Sequence, residues 1–148
     1  MTIRRLTPQF VEKFPERLEP GELYLAMEFA TAVHLCACGC GNKVITPFSP
    51  TDWQMSFDGE TVSLKPSIGN WSFRCRSHYW VRSGRVVWAG DMSQEAINAV
   101  RNRDIRVKAL HQAARAKGEN VDLPEWKDAQ VQPKPATWLE RLKGRLGL

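Results

Sequence analysis

The sequence has no apolar run long enough to cross a bilayer. Its longest apolar stretch, Leu23 to Val33, is much shorter than the roughly 20 residues of a membrane-spanning helix, and Glu28 interrupts it. The N-terminus also lacks the hydrophobic segment of a secretory signal peptide. We therefore expect a cytoplasmic protein without a membrane partner.

The sequence also lacks a strong excess of either positive or negative charge. The 148 residues include 21 Lys and Arg against 16 Asp and Glu, a net charge of +5, and this excess is too small to indicate a nucleic-acid-binding arm. Five basic residues do share one predicted helical region: Arg101, Arg103, Arg106, Lys108 and Arg115. We interpret them as a solvated helix face and expect no nucleic-acid partner.

Cysteine is scarce, and in a reducing compartment the four cysteines are not expected to form disulfides. All four, with two of the three histidines, lie in two short segments, HLCACGCG at 34–41 and CRSH at 75–78. Zinc binds thiolate and imidazole ligands in a tetrahedron, so the two segments together predict a Zn²⁺ site. The six candidate ligands are His34, Cys36, Cys38, Cys40, Cys75 and His78. Buried structural thiols are the alternative.

Six candidates exceed the four ligands of a closed site, and the spacing is not the doubled C-x-x-C of a zinc ribbon. We therefore hypothesise an open catalytic zinc whose bound water is the nucleophile, with Glu28 as general base. A straight strand would hold Glu28 about 33 Å from Cys38, so this role requires a bend between Phe29 and Thr31. Otherwise Glu28 is a solvent-facing strand residue.

The segment Lys65 to Trp71 is rich in turn-forming residues and lies between the two cysteine segments. We predict that Ser67 and Asn70 hydrogen-bond substrate and that Trp71 forms the wall of a groove. Ser77 is adjacent to a candidate ligand and is assigned to the same substrate-binding group. The alternative is a self-contained turn with a core tryptophan.

Alternating polar and apolar residues dominate the first part of the chain. A short helix is predicted over Pro8 to Lys13, followed by strand patterning from Glu22 to Leu35 that places Glu28 and His34 opposite the core side. A strand is predicted over Lys43 to Pro47. Hairpins are predicted to turn at Asp58-Gly59 and at Ser83-Gly84.

After Gly90 the pattern becomes helical, with Asp91 or Ser93 as N-cap and the helix running toward Lys117, with a possible break near Arg103. Its predicted apolar stripe consists of Ile97, Val100, Val107 and Leu110. The predicted class is α+β, a small antiparallel sheet core built around a zinc site with helices following it. The predicted divisions are a zinc-binding domain at 1–90, a helical extension at 91–117, and a proline-containing linker with a short amphipathic helix at 118–148.

Three motifs together resemble the family called domain of unknown function 6527: HLCACGCG at 34–41, VSLKPSIGNW at 62–71 and CRSHYW at 75–80. The resemblance covers about Leu18 to Gly90. It implies a zinc-dependent peptidase of a bacterial ubiquitin-like conjugation operon of the antiphage type. The metal role it implies falls on Cys36, Cys38, Cys40, Cys75 and His78, with His34 in reserve.

The resulting hypothesis is a zinc metallopeptidase that processes or deconjugates a ubiquitin-like protein, with the conjugation enzymes of the same operon as further partners. The alternative is a non-enzymatic zinc module that binds nucleic acid or a protein. A thiol redox protein using Cys38 and Cys40 is a third hypothesis, which the C-x-C spacing disfavours.

Overall fold

A computed structural model describes residues 1–123. The chain forms two four-stranded sheets and then one long helix. The first sheet contains β1 (Thr7–Phe10), β2 (Glu22–Ala26), β3 (Thr31–Leu35) and β4 (Lys43–Pro47). The second contains β5 (Gln54–Phe57), β6 (Val62–Gly69), β7 (His78–Arg82) and β8 (Arg85–Trp88), and α1 spans Gln94–Lys117. The predicted C-terminal helix and most of the predicted linker lie outside the described residues.

The first sheet has the order β1-β2-β3-β4, with β1 parallel to β2 and the other pairs antiparallel. The predicted helix over Pro8 to Lys13 is wrong, because Thr7–Phe10 pairs with β2 and this pairing outweighs the local helical pattern. The chain reverses through a 3₁₀ turn at Met27–Phe29, with Ala30 in the left-handed region. The alternating stretch is therefore two strands rather than one.

This reversal changes the environment of His34, which is fully buried instead of facing away from the core. Ala32, Val33 and His34 are buried in succession, so both faces of β3 are covered. Across the β2–β3 pairing His34 lies opposite Leu23 and Ala32 opposite Leu25, so the turn places the even-numbered residues of β3 on the core face.

The second sheet confirms both predicted hairpins. Its order is β5-β6-β7-β8, and all three pairs are antiparallel. Gly59, Ser83 and Gly84 adopt positive φ in the two turns, as tight hairpins require. One irregularity interrupts the regular pairing: Leu64 pairs with Val81 but Ile68 pairs with Tyr79, so β6 bulges between these two positions.

The two sheets share one hydrophobic core. Its members from the first sheet include Leu23, Leu25 and Ala32, and those from the second include Leu64 and Tyr79. The α+β class is thus confirmed as antiparallel-rich sheets followed by a helix, with two sheets rather than the single sheet expected. The division of the chain at Gly90 stays a prediction.

Helix α1 begins where the sequence indicates. The Ser93 side chain accepts a hydrogen bond from the Ala96 N–H, and the helix then continues to Lys117 without a break near Arg103. Of the predicted apolar stripe only Ile97 is buried, while Val100 is 43% and Leu110 62% exposed. In the described range no helix is both long and apolar enough to cross a membrane.

Candidate functional site

The four cysteines come together in one cluster. Three follow β3 in the turn at residues 36–40, and Cys75 lies in the loop before β7. All four Sγ atoms lie within 4.8 Å of one another. Cys36 Sγ is 3.5 Å from Cys38 Sγ and 3.9 Å from Cys75 Sγ, and Cys40 Sγ is 3.8 Å from Cys75 Sγ.

These separations fit a tetrahedral zinc ion. Four Zn–S bonds of about 2.3 Å place the sulfurs about 3.8 Å apart. An all-sulfur donor set is typical of structural zinc, and it leaves no coordination position for water. The cluster therefore suits a metal that links two chain segments and does not suit the open catalytic site hypothesised from the sequence.

The pKa values of the cysteines show what metal binding would require. Burial raises the pKa of Cys36, and burial together with hydrogen bonding to Cys40 raises the pKa of Cys38 to about 12. At Cys75 burial also acts to raise the pKa, but hydrogen bonds from Ser77 outweigh it and lower the pKa to about 7. Zinc binds thiolates, so it would displace the protons that burial helps Cys36 and Cys38 to retain.

The remaining candidates for the metal site lie elsewhere. His34 Nε2 hydrogen-bonds Tyr79 Oη at 2.7 Å within the core, and burial lowers the pKa of His34 to about 4. Glu28 is exposed in the 3₁₀ turn before β3, whereas Cys36 follows the other end of that strand. Five residues of strand span about 17 Å. The chain does bend near Phe29, but the bend does not bring Glu28 to the cysteines.

His78 engages a serine instead of the cysteine cluster. It is the first residue of β7 and is buried, and its Nε2 lies 2.9 Å from Ser67 Oγ. Its Nδ1 lies 2.8 Å from the carbonyl oxygen of Gly90. Since a carbonyl oxygen only accepts, Nδ1 carries the proton and the Nε2 lone pair accepts the Ser67 O–H.

The register of β6 and β7 places Ser67 diagonal to His78 on one face of the second sheet. Between Leu64 and Ile68 the strand leaves regular pairing, and Gly69 then pairs with His78. Ser67 is two residues before Gly69, so its side chain projects to the same face of the sheet as Gly69 and His78. Ser67 is thereby held beside the imidazole by a strand rather than by a long loop.

The Ser67–His78 pair opens into a cleft of about 330 Å³ between the second sheet and α1. Trp71, also on the cleft wall, packs its ring against the His78 ring with centroids 4.9 Å apart. The guanidinium of Arg76 lies 5.3 Å from the Trp71 ring centroid and pairs with Asp91 at 3.3 Å. Trp71 thus packs on one side of the His78 imidazole, and Arg76 packs against Trp71 in turn.

Asn70 and Ser77 connect the cysteine cluster to this pair. Asn70 Nδ2 donates to Ser77 Oγ at 2.9 Å, and Ser77 Oγ lies 3.0 Å from Cys36 Sγ. Ser77 immediately precedes His78 in the chain. Of the four predicted substrate-binding residues, Ser67 and Trp71 line the cleft, whereas Asn70 and Ser77 face the cysteine cluster.

A serine hydroxyl hydrogen-bonded to a histidine whose other nitrogen is held in place is the arrangement typical of serine hydrolases. Over residues 10–89 the chain matches the family described as bacterial ubiquitination-like system serine protease (BubE). The match covers more than half of the chain, and the protein belongs to this family. No curated protein and no solved structure matches it.

The family match confirms the coarser part of the prediction, a protease of a bacterial ubiquitination-like system. The family description names a serine protease; it names neither zinc nor domain of unknown function 6527. Sequence reasoning selected Ser67 and His78 but gave them other roles. Lys65 to Gly69, in the segment interpreted as turn-forming, belong to strand β6. The available signal of irregular pairing there was Pro66, since proline in a strand favours a bulge or an edge.

Proposed function

We propose that this protein is a serine protease in which Ser67 is the nucleophile and His78 the general base, and that it cleaves the C-terminal tail of a ubiquitin-like protein. The 2.9 Å contact between Ser67 Oγ and His78 Nε2 is the observation that carries the proposal. The family description supports both the serine chemistry and the ubiquitination-like setting. The conjugation enzymes of the same system are the further partners that this setting implies.

In the proposed reaction Ser67 Oγ attacks the scissile carbonyl while His78 Nε2 accepts the hydroxyl proton. His78 then returns this proton to the leaving amine as the C–N bond breaks, which leaves the tail esterified to Ser67. A water gives its proton to His78 and attacks the ester, and the proton passes back to Ser67 as the carboxylate leaves. The Gly90 carbonyl replaces the carboxylate of a triad by fixing the Nδ1–H tautomer and orienting the ring.

The cysteine cluster has a supporting role in this proposal. Cys36, Cys38, Cys40 and Cys75 would hold zinc, and the bound ion would supply a cross-link between the turn after β3 and the loop before β7. Ser77 contacts the cluster through Cys36 and precedes His78 in that loop. A fixed loop would keep the imidazole in register with Ser67.

The test is cleavage of the ubiquitin-like protein of the same system, extended at its C-terminus by a short peptide and followed by mass spectrometry. We expect Ser67→Ala and His78→Gln each to reduce kcat by about 10³-fold or more. Ser56→Ala, which changes an exposed serine on β5, is the matched control and should retain full activity. A fluorophosphonate reagent should add its mass to Ser67 in the wild type and not in Ser67→Ala.

The competing metallopeptidase hypothesis makes the opposite prediction. It requires that Glu28→Gln abolish cleavage while zinc is retained, and that Ser67→Ala raise KM but keep most of kcat, since Ser67 only binds substrate in that hypothesis. Our proposal expects Glu28→Gln to have wild-type kcat, since this side chain is exposed in the turn before β3. Full activity of Ser67→Ala would overturn the proposal.

A further inference from the structure

The cleft beside Ser67 has a second wall that the proposed chemistry does not use. It is formed by the loop at residues 51–53 and by one face of α1. Lys108 Nζ pairs with Asp52 Oδ1 at 2.8 Å and ties the loop to the helix. Trp53 follows Asp52, and Asp104 is one helical turn before Lys108, so Trp53 and Asp104 flank the same ion pair.

Two residues of this wall each carry a polar side-chain atom that is buried and unpaired. Neither Trp53 Nε1 nor Asp104 Oδ1 has a hydrogen-bond partner among residues 1–123. Trp53 Nε1–H only donates, and the carboxylate oxygen accepts. The great majority of buried polar groups in folded proteins are hydrogen-bonded. An unpaired donor and an unpaired acceptor on residues of one cleft therefore indicate a missing ligand.

The pKa of Asp104 also indicates that its carboxylate lacks a hydrogen-bond partner. Its pKa is raised, first by desolvation and then by the neighbouring Asp52, although Lys108 and Arg103 act against the shift. A hydrogen-bond donor brought by a ligand would stabilise the ionised carboxylate. The group therefore gains from a partner that the described residues do not provide.

We propose that Trp53 and Asp104 form a main-chain subsite that binds one residue of the extended substrate tail, with Trp53 Nε1 donating to its carbonyl oxygen and Asp104 Oδ1 accepting from its N–H. One residue of an extended chain directs its N–H and C=O to the same side, as in the hydrogen-bonded pairs of an antiparallel sheet. This inference identifies how the substrate is held and rests on the proposed function for the identity of that substrate.

A basic side chain is the competing ligand, and it fits less well. Lysine or arginine carries donors only, so it would satisfy Asp104 and leave the Trp53 N–H unpaired. A peptide unit supplies both complementary groups. The subsite would thus accept many side chains but exclude proline, which has no N–H, at the bound position.

Binding is measured separately from catalysis by using the full chain with Ser67→Ala. The probe is a fluorescein-labelled peptide of the last ten residues of the ubiquitin-like protein, followed by anisotropy. We expect Trp53→Phe, which keeps the aromatic packing but removes the N–H, and Asp104→Leu each to raise Kd about three- to tenfold. Asp104→Asn keeps an acceptor oxygen and should recover most of the affinity.

Two controls account for general effects of these substitutions. Trp88→Phe on β8 and Asp122→Leu, which are outside the residues lining the cleft, should leave Kd unchanged. Each variant is also melted thermally to show that it is folded. In the active Ser67 background, Trp53→Phe and Asp104→Leu should raise KM and leave kcat within about twofold, unlike loss of the Ser67–His78 pair.

N-methylation of the peptide, one residue at a time, locates the contact. One position should weaken binding to the Ser67→Ala protein and have no further effect when Asp104→Leu is also present. Unchanged Kd in Trp53→Phe and Asp104→Leu, or no binding of the peptide to the Ser67→Ala protein, would overturn the subsite. The subsite would also be overturned if Asp104→Leu raised Kd for the natural peptide but not for a peptide whose lysine or arginine had been replaced.

These outcomes separate the subsite from the proposed function. Cleavage by the wild type with unchanged Kd in both variants removes the subsite and keeps the protease. Weaker binding in both variants without any cleavage by the wild type keeps the subsite and removes the protease.

Discussion

His78 illustrates how one residue type fits two chemistries at the level of sequence. Within Cys75-Arg76-Ser77-His78 it is spaced as a zinc ligand, yet both of its ring nitrogens are hydrogen-bonded to Ser67 and Gly90. Three residues of extended chain span about 10 Å. That length lets Cys75 reach the cysteine cluster while His78 starts β7 and faces the cleft.

Gly69 tests the packing around that histidine. A Cβ at this position would fall against Trp71 Nε1 and 2.8 Å from Trp71 Cε2. We expect Gly69→Ala to displace the indole from His78, to lower kcat, and to reduce the free energy of unfolding by about 1–3 kcal/mol. Urea denaturation and steady-state cleavage measure the two effects.

The matched comparison places Gly69→Ala in a Trp71→Ala background. Removing the indole removes the atoms that the new methyl group would meet, so the alanine should then cost little stability. An equal loss of stability in both backgrounds would show that backbone conformation, and not contact with Trp71, requires glycine here.

At the scale of elements, the β5–β6 hairpin is specified locally. The Asp58 carboxylate accepts hydrogen bonds from Thr61 N and Oγ1 and from Glu60 N, and Gly59 adopts positive φ. Residues next to one another in sequence make all of these contacts. This locality explains why the dipeptide Asp58-Gly59 was enough to predict the turn.

Asp58 should make stability depend on pH. Hydrogen bonds from Thr61 and Glu60 lower its pKa from 3.8 to about 2. The depressed pKa contributes stability that is present above pH 4 and is lost as the pH falls toward 2. Asp58→Asn should therefore be less stable than wild type in urea at pH 5.5, and this difference should shrink at pH 2.5. A difference independent of pH would contradict the assignment.

The bulge in β6 is an element-scale feature that local rules indicate only in part. Pro66 has no N–H to donate, so a regular central strand through it is disfavoured. The sequence does not specify where the strand resumes pairing. The resumption at Ile68 and Gly69 depends on β7, and the resulting register leaves Ser67 diagonal to His78, within hydrogen-bond distance.

At the scale of the whole molecule, the cysteine cluster joins the end of the first sheet to the second. Cys36 follows β3, and Cys75 precedes β7. We expect one zinc per chain, and we expect its removal by a chelator to lower Tm by about 10 °C or more, which corresponds to roughly 2 kcal/mol in a domain near 100 residues. Cleavage should be lost at the same time. Elemental analysis and differential scanning calorimetry test these expectations.

Single variants distinguish ligands from neighbours. Cys38→Ser should lose zinc, whereas His34→Gln and His78→Gln should retain one zinc per chain because neither histidine belongs to the four-sulfur group. Loss of zinc in His78→Gln would place the imidazole in the metal site and contradict the donor set described above.

Features that depend on neighbouring residues could be predicted from the sequence. These are the two hairpin turns, the capped start of α1 at one of the two predicted residues, Asp91 or Ser93, and the grouping of the cysteines in two short segments that glycine and spacing allow to close on a metal. Each follows from contacts within a few residues, so residue type and spacing are sufficient to predict it.

Which functional side chains contact one another depends on the tertiary structure. Thr7–Phe10 pairs with β2 in the first sheet, and the reversal at Met27–Phe29 leaves Glu28 one strand length from the cysteines. The pairing of β6 with β7 brings Ser67 within hydrogen-bond distance of His78. These contacts join residues distant in sequence, and their geometry depends on strand register and shared burial, which a linear pattern of residue types does not encode.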